Sequence, residues 1–522
     1  MLATTRQRVR GCGASWLLVA LGLLAACGDS GEAKDAWSPP DATRGTQSDI
    51  DARGPAALPV DSLDASLDAV GIDPGMRGSD ADVGAGPQPF GNCGFDVDID
   101  AYTATGSEFI FDVATTMANE PACVIACTWV DPIGGVDVER FPWLERTQGC
   151  SAFTCTSKQE YLAHIFERSD TALTMLHGIA YAVGKDGTAG LAVLSSEDQR
   201  AFVDDINTQL GARRVLMAPS VMPNDRIDVQ LARMQRLAAE GGVSAWHTVT
   251  AWGPGRLPLP SGYWLDQDVG PVMIQKGIDL GVPIFLVHKG MPYPELSPTY
   301  TNPIDVGPAA ARFPEATFVI LHAAFEHGLG PGEQSDPDGS DHGWGAQFGV
   351  WPEGPYDEVL EGHDVQDDAG MRDDDNPADS QADDNDAGAP PDEGIVDVEV
   401  RYPLDRGVNS LIRSMRAAGI GPNQNVYASL DVVWAHLITR PIEAAHVLGK
   451  LLRHVGEDNI LWGTSSVFYG GPVPQIEAFR DFQIPPQMRA AYGYPELTPE
   501  RKAKILGLNA ARLFCINPAT PH

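Results

Sequence analysis

From residue 108 to the end of the chain, short apolar runs alternate with amphipathic stretches of helical period, and this alternation limits the possible folds most strongly. The runs fall at 108–113, 172–176, 214–218, 243–248, 282–287, 317–321, 425–430 and 459–462. The stretches between them cover 158–168, 197–210, 228–240, 267–280, 308–313, 404–418 and 441–455, and two more follow at 474–482 and 499–506. Runs that are apolar throughout, rather than alternately polar, suit strands buried on both faces. Strands separated by helices predict parallel pairing under a helical cover. Eight such units predict an α/β chain folded as a (βα)8 TIM barrel, in preference to a doubly wound sheet. In such a barrel, functional side chains belong at the C-terminal ends of the strands.

One connection breaks the rhythm. Residues 328–403 separate the sixth strand from the sixth helix, and within them 358–399 hold sixteen acidic side chains and one Arg. A connection this long is either functional or unstructured, and its composition predicts a largely disordered acidic insertion. Calcium is the rival reading, because Asp336, Asp338 and Asp341 and the acidic run at 373–386 space carboxylates closely. No complete EF-hand pattern with a distal Glu is present. A strand-to-helix insertion would sit at the rim of the pocket, where its charge would disfavour anionic ligands.

The N-terminal residues carry a different message. Arg6, Arg8 and Arg10 precede a short apolar segment at 16–26, too short to span a bilayer. It ends in Leu24-Ala25-Ala26-Cys27, which resembles a bacterial lipobox. That resemblance implies a signal peptide at 1–26 and lipidation of Cys27, which would bind the chain to a lipid bilayer through its acyl groups. Gly28 follows the cysteine where an Asp would signal inner-membrane retention, so the expected address is the cell envelope, at the outer membrane. An ordinary secretory signal is the alternative. Residues 27–92 then read as a solvated, disordered acidic tether: 28–92 contain twelve acidic and four basic side chains and two aromatics. The folded unit is expected at 93–522.

The formal net charge of −35 argues against a nucleic-acid partner. Six cysteines follow Cys27, namely Cys93, Cys123, Cys127, Cys150, Cys155 and Cys515. An even number in an exported chain favours disulfides. Cys123 with Cys127 and Cys150 with Cys155 could each close a small loop. Zinc is the rival, but no histidine is interleaved with these residues.

Several phrases carry a family resemblance. They are Ile110-Phe-Asp-Val-Ala-Thr-Thr116, Phe285-Leu-Val-His-Lys-Gly290, Phe318-Val-Ile-Leu-His322, Asn425-Val-Tyr-Ala-Ser-Leu430 and Ile460-Leu-Trp-Gly-Thr-Ser-Ser-Val-Phe-Tyr-Gly470, with the tail Lys504 to Phe514. Together they resemble the amidohydrolase-related branch of the metal-dependent hydrolases, which includes aminocarboxymuconate-semialdehyde decarboxylase. The resemblance implies a divalent metal, usually zinc, at the strand C-termini. Ligands would be a His-x-His on strand one and a His on strand five, with an assisting His on strand six and an Asp on strand eight. Such a site lowers the pKa of bound water to about 7 for attack on a carbonyl.

Carried onto this chain, the match is partial. His288 takes the strand-five position and His322 the strand-six position. The strand-one pair falls on Ala114 and Thr116, and the strand-eight Asp on Ser465. A methyl group cannot coordinate zinc, and neutral hydroxyls bind it poorly. A rearranged site from His288, His322, His247 and Asp431 is one possibility, with His322, Asp431 and Ser465 as catalytic groups. His177 ends strand two, and Glu326 and His327 lie just past strand six, all near strand C-termini; His177 and His247 read better as satisfied polar residues of the barrel wall. Asp112 reads as a structural carboxylate bonded to barrel backbone, and Trp246, Trp252 and Trp462 read as packing. Two functions follow as expectations: a lipid-anchored hydrolase, less readily a decarboxylase, of a small-molecule substrate; or an inactive barrel serving as an envelope binding or scaffold protein.

Overall fold

The computed structural model describes residues 93–116, 158–178, 196–252, 262–291, 297–326, 355–356, 406–438, 440–467 and 471–520. These residues all fall in one compact unit, 81–522. The expected signal peptide, Cys27, the tether, the acidic insertion with its candidate calcium ligands, His327, and Cys123, Cys127, Cys150 and Cys155 lie outside the described residues. Among the described residues, no helix is long and apolar enough to cross a membrane.

Eight strands appear where the apolar runs predict them. They are β1 (Ile110–Thr115), β2 (Thr171–His177), β3 (Val215–Ala218), β4 (Trp246–Val249), β5 (Ile284–His288), β6 (Thr317–Leu321), β7 (Val426–Ser429) and β8 (Ile460–Leu461). β1 to β3 pair in parallel, and so do β4 to β8. Two seams close the set into a barrel. Between β3 and β4, Ser244 N–H donates to Met217 O at 2.9 Å, and His247 N–H donates to Pro219 O at 3.0 Å. Between β8 and β1, Val113 N–H donates to Trp462 O at 3.0 Å, and Ser465 N–H donates to Ala114 O at 2.8 Å. The (βα)8 barrel is therefore the fold of this chain.

Helices follow the strands: α1 (Lys158–Leu162), α2 (Ser196–Leu210), α3 (Ile227–Ala239), α4 (Val269–Asp279), α5 (Val306–Arg312), α6 (Gly407–Ala417), α7 (Asp431–Leu437) and α8 (Pro441–Lys450). The helix α7, directly after β7, is absent from the sequence reading. Its seven residues, Asp-Val-Val-Trp-Ala-His-Leu, are all buried, so it has no polar face and no helical period to detect.

Side-chain alternation sorts the strands into two packing layers. One residue or more from every strand region meets inside the barrel: Phe111, Leu173, Leu216, Ala245, Leu286, Val319, Tyr427 and Leu461 share a single buried cluster. Their neighbours in sequence point outward to the helices, with Trp246, Phe285, Phe318, Val426, Ile460 and Trp462 in a second cluster with helical residues such as Met234 and Ile274. The packing roles expected for Trp246 and Trp462 are met.

The described chain is also closed covalently. Cys93 and Cys515 form a disulfide across 422 residues of sequence, with Cα atoms 5.2 Å apart. This agrees with the disulfide expectation. Cross-links over loops this long remove much unfolded-state entropy and contribute about 4 kcal/mol. Reducing this bond without denaturant is expected to lower the thermal midpoint by several degrees; a Cys93→Ser/Cys515→Ser variant that melts with the parent would contradict this.

Candidate functional site

The mouth of the barrel follows from continuing the inward register by two residues. Met175 leads to His177, Ala218 to Ser220, Ala245 to His247, Leu286 to His288 and Tyr427 to Ser429. An apolar interior is thus capped by a polar layer at the strand C-termini. His177, Ser220, His247, His288 and Ser429 are all buried.

Strand ends β5 to β8 converge on one buried polar chain. His288 Nδ1 and His322 Nε2 lie 3.0 Å apart, and His322 Nδ1 approaches Asp431 Oδ2 at 2.9 Å. The second oxygen of Asp431 accepts from the Ser465 hydroxyl. On the far side, His288 Nε2 faces the Met291 carbonyl at 3.3 Å, an interaction that suits a hydrogen on Nε2 and a lone pair on Nδ1. His322 Nε2–H then donates to His288. The expected catalytic residues His322, Asp431 and Ser465 are thus brought together with His288, although they come from three different strand ends.

Local backbone geometry makes this possible. His322, Ala323 and Ala324 take φ of 59°, 48° and 57°, Asp431 takes 43° and Ser465 52°. Non-glycine residues in this region cost on the order of 1 kcal/mol or more each, and they persist where surrounding structure enforces them. Gly290 (φ +71°) serves the same purpose after β5. A Cβ there would lie 2.4 Å from the Ala324 carbonyl carbon and from Phe325 O, so only glycine lets the β5 end close upon the β6 end.

Burial shapes the electrostatics. It pulls His288 well below its ordinary pKa, and the charge of a protonated His322 acts in the same direction. Burial alone would raise Asp431. The neighbouring His322 charge, and hydrogen bonds from His322 and Ser465, outweigh it and hold the carboxyl below its ordinary value.

The other two histidines form a separate pair. The His177 and His247 rings lie against each other, centroids 4.5 Å apart and planes tilted by 31°. His247 Nδ1 lies 2.8 Å from the Ser220 hydroxyl, which itself donates to Gly178 O at 2.5 Å. Burial lowers His247 well below its ordinary value, helped by the charges of His177, His288 and His322. Burial likewise lowers His177, to about 4. Among the described residues, neither ring nitrogen of His177 makes a hydrogen bond. Ser220, which the sequence reading missed, is signalled only by its place two residues beyond the inward-facing Ala218.

Asp112 behaves as a structural carboxylate. Its oxygens accept from Ala114 N–H at 3.0 Å, from Thr464 N–H at 3.2 Å and from the Thr464 hydroxyl, across the β8–β1 seam. Glu326 is buried, and its Oε1 accepts from Gly407 N–H at 3.4 Å.

The donor set does not fit the divalent metal that the family resemblance implies. Ala114 and Thr116, where two imidazoles would stand, offer a methyl group and a hydroxyl. His247 is held by Ser220 and packs against His177 instead of joining His288 and His322. Among the described residues, no group of three or more His, Cys, Asp or Glu is arranged to hold a metal ion. No reaction step is therefore routed through a metal.

No family model matches this chain, and no curated protein matches it. Solved structures give remote likenesses. The chain is similar to 2,6-dihydroxybenzoate decarboxylase from Rhizobium, with 14% identity over 78% of this chain and 98% of that one, at a TM-score of 0.39. It is similar to the apo form of IDCase from Metarhizium anisopliae, with 12% identity over 80% and 100% of the two chains, at 0.40. A third likeness is a dihydroxybenzoic acid decarboxylase from Polaromonas, solved with manganese and 2-nitroresorcinol, with 14% identity over 78% and 97%, at 0.39.

Proposed function

We propose that this chain is an amidohydrolase-related barrel that hydrolyses a small molecule at the mouth of its strands by acid–base chemistry of His322 and Asp431. One observation carries the reading: Asp431, His322 and His288 form a continuous buried polar chain, in which His322 pairs with Asp431 at 2.9 Å and meets His288 at 3.0 Å, with His322 and Asp431 on left-handed backbone. Strain held in one place by several strand ends supports function over packing. Hydrolysis adds water across a carbonyl C–N or C–O bond. The His322 Nε2–H, turned from His288 to the substrate, gives its proton to the departing atom, and Nε2 takes one back from the incoming water, so the site returns to its starting state. Asp431 fixes the His322 ring and offsets its charge, and Ser465 fixes Asp431.

The N-terminal sequence supports the rest of the proposal: export, acylation of Cys27 and residence at the outer membrane. A fluorescent fusion found in the soluble fraction, or one found with the membrane that does not leave it on Cys27→Ala, would refute the anchor.

The activity is tested on the purified protein with panels of cyclic amides and esters, alongside its metal content by elemental mass spectrometry. Turnover is expected without stoichiometric metal. It should fall by roughly 10²–10⁴-fold in His322→Gln and in Asp431→Asn, with melting little changed. Near-stoichiometric metal that disappears in His288→Ala would replace this reading with a metallohydrolase. Absence of turnover across the panels would favour the binding or scaffold protein.

A further inference from the structure

The mouth contains a second functional element that the His322–Asp431 chain does not use. Ser220 donates its hydrogen to Gly178 O at 2.5 Å, so at 2.8 Å its oxygen can only accept from His247 Nδ1. The hydrogen of the neutral His247 ring is therefore on Nδ1, and Nε2 carries a lone pair. Nε2 has no hydrogen-bond partner among the described residues. The neighbouring ring of His177 is 5% exposed, and both of its nitrogens are buried without a hydrogen bond among the described residues. Unpaired buried polar atoms are uncommon and call for an occupant. The inward register directs both rings toward the same space as His288.

We infer that the His177–His247 wall is a ligand subsite, in which Ser220 fixes His247 Nε2 as a hydrogen-bond acceptor for an N–H or O–H group of a neutral small molecule. The inference rests on the reading of the strand C-termini as the small-molecule site. It adds a preference to that site. A carboxylate oxygen would set its lone pairs against that of Nε2, in a mouth that already holds the Asp431 carboxylate, whereas an amide or hydroxyl hydrogen meets the lone pair directly. The cationic side chains near by are already engaged: His322 faces Asp431 at 2.9 Å, Lys289 is paired with Asp305, and Arg233 donates to Ser220 O at 3.2 Å and to the Ser196 hydroxyl. The chain's charge of −35 acts in the same direction at longer range.

Acetamide and acetate are the probes, since they share shape and differ in offering a donor. The full-length protein is labelled with ¹⁵N-histidine, and the His247 resonances are assigned with His247→Ala. The parent should show His247 as the Nδ1–H tautomer. Acetamide should shift its Nε2 signal with an affinity about tenfold or more above that of acetate. Ser220→Ala frees the tautomer and should bring the two affinities within about threefold. Ser220→Thr keeps the hydroxyl and should keep the preference, which separates orientation from simple loss of packing. An Nε2–H tautomer, equal or reversed affinities, no response to either probe, or a preference unchanged in Ser220→Ala would each overturn the subsite. A null result here with turnover still dependent on His322 removes the subsite alone. A donor preference in a protein without turnover removes the hydrolase reading alone.

Discussion

Asp305→Ala is expected to destabilise the barrel by about 3–5 kcal/mol, the usual cost of stranding one member of a buried ion pair. Lys289 and Asp305 are 0% and 2% exposed in their side chains, and Nζ lies 2.8 Å from an Asp305 oxygen. Two carbonyls, Tyr300 O at 3.0 Å and Asn302 O at 3.2 Å, complete the ammonium's shell. Burial pushes the Lys289 pKa down, and Asp305 opposes that push. Without Asp305 the ammonium loses its bonded charge partner and keeps only the influence of the Asp266 carboxylate, and the Leu265 N–H also loses its acceptor at 2.8 Å. Urea unfolding would measure the loss. Adding Lys289→Met should recover part of it, because two apolar groups in place of the pair leave no stranded charge. A single variant within about 1 kcal/mol of the parent would show that the pair is dispensable. Lys289 follows His288 directly, so Asp305→Ala should also lengthen the His288–His322 contact and reduce any turnover.

The second large effect depends on pH. Burial raises the Asp112 carboxyl to about 7, and the bonds from Thr464 and Ala114 only partly offset it; the Asp431 charge adds to the rise. The unfolded chain keeps the ordinary value of 3.8. Between these values the folded chain binds one proton more than the unfolded chain, so its stability falls as pH rises. The full contribution is present below about pH 4 and is gone above about pH 7, and the interval corresponds to roughly 4 kcal/mol. Asp112→Asn imitates the protonated acid. Its carbonyl accepts the same two N–H groups, and its amide faces the Thr464 hydroxyl. The variant should match the parent near pH 4 and exceed it by up to about 4 kcal/mol at pH 8. A difference that does not change with pH would mean that Asp112 is ionised in the fold throughout.

The fold was legible because its signal is local. Apolar runs and helical period are visible within windows of ten residues, and all eight strands lie where those runs are. β8 is shorter than expected, at Ile460–Leu461, because the chain leaves the strand after Leu461 and turns left-handed at Ser465. The positions of His288, His322, Asp431 and Ser465 at strand ends were legible for the same reason. Their wiring was not. Ser465 bonds to Asp431, 34 residues away on the preceding strand end, and no periodicity encodes that pairing. Nor does composition reveal that Ser220 sets the tautomer of His247, or that Ala323 and Ala324 accept a conformation usually left to glycine. These features arise when strands from distant parts of the chain meet, and they are where the chemistry is concentrated.

The bond between Cys93 and Cys515 gives the folded unit the topology of a circle. A protease that cuts once between these residues, for example between β6 and β7, would leave a single covalent molecule until a reductant is added. The circle also has no privileged starting point. With 5.2 Å between the two Cα atoms, a short peptide could replace the sulfur bridge and new ends could be opened between any strand and its helix. The segment that precedes Cys93 could then be attached at another point on the barrel, or removed, without changing the order in which the strands pair.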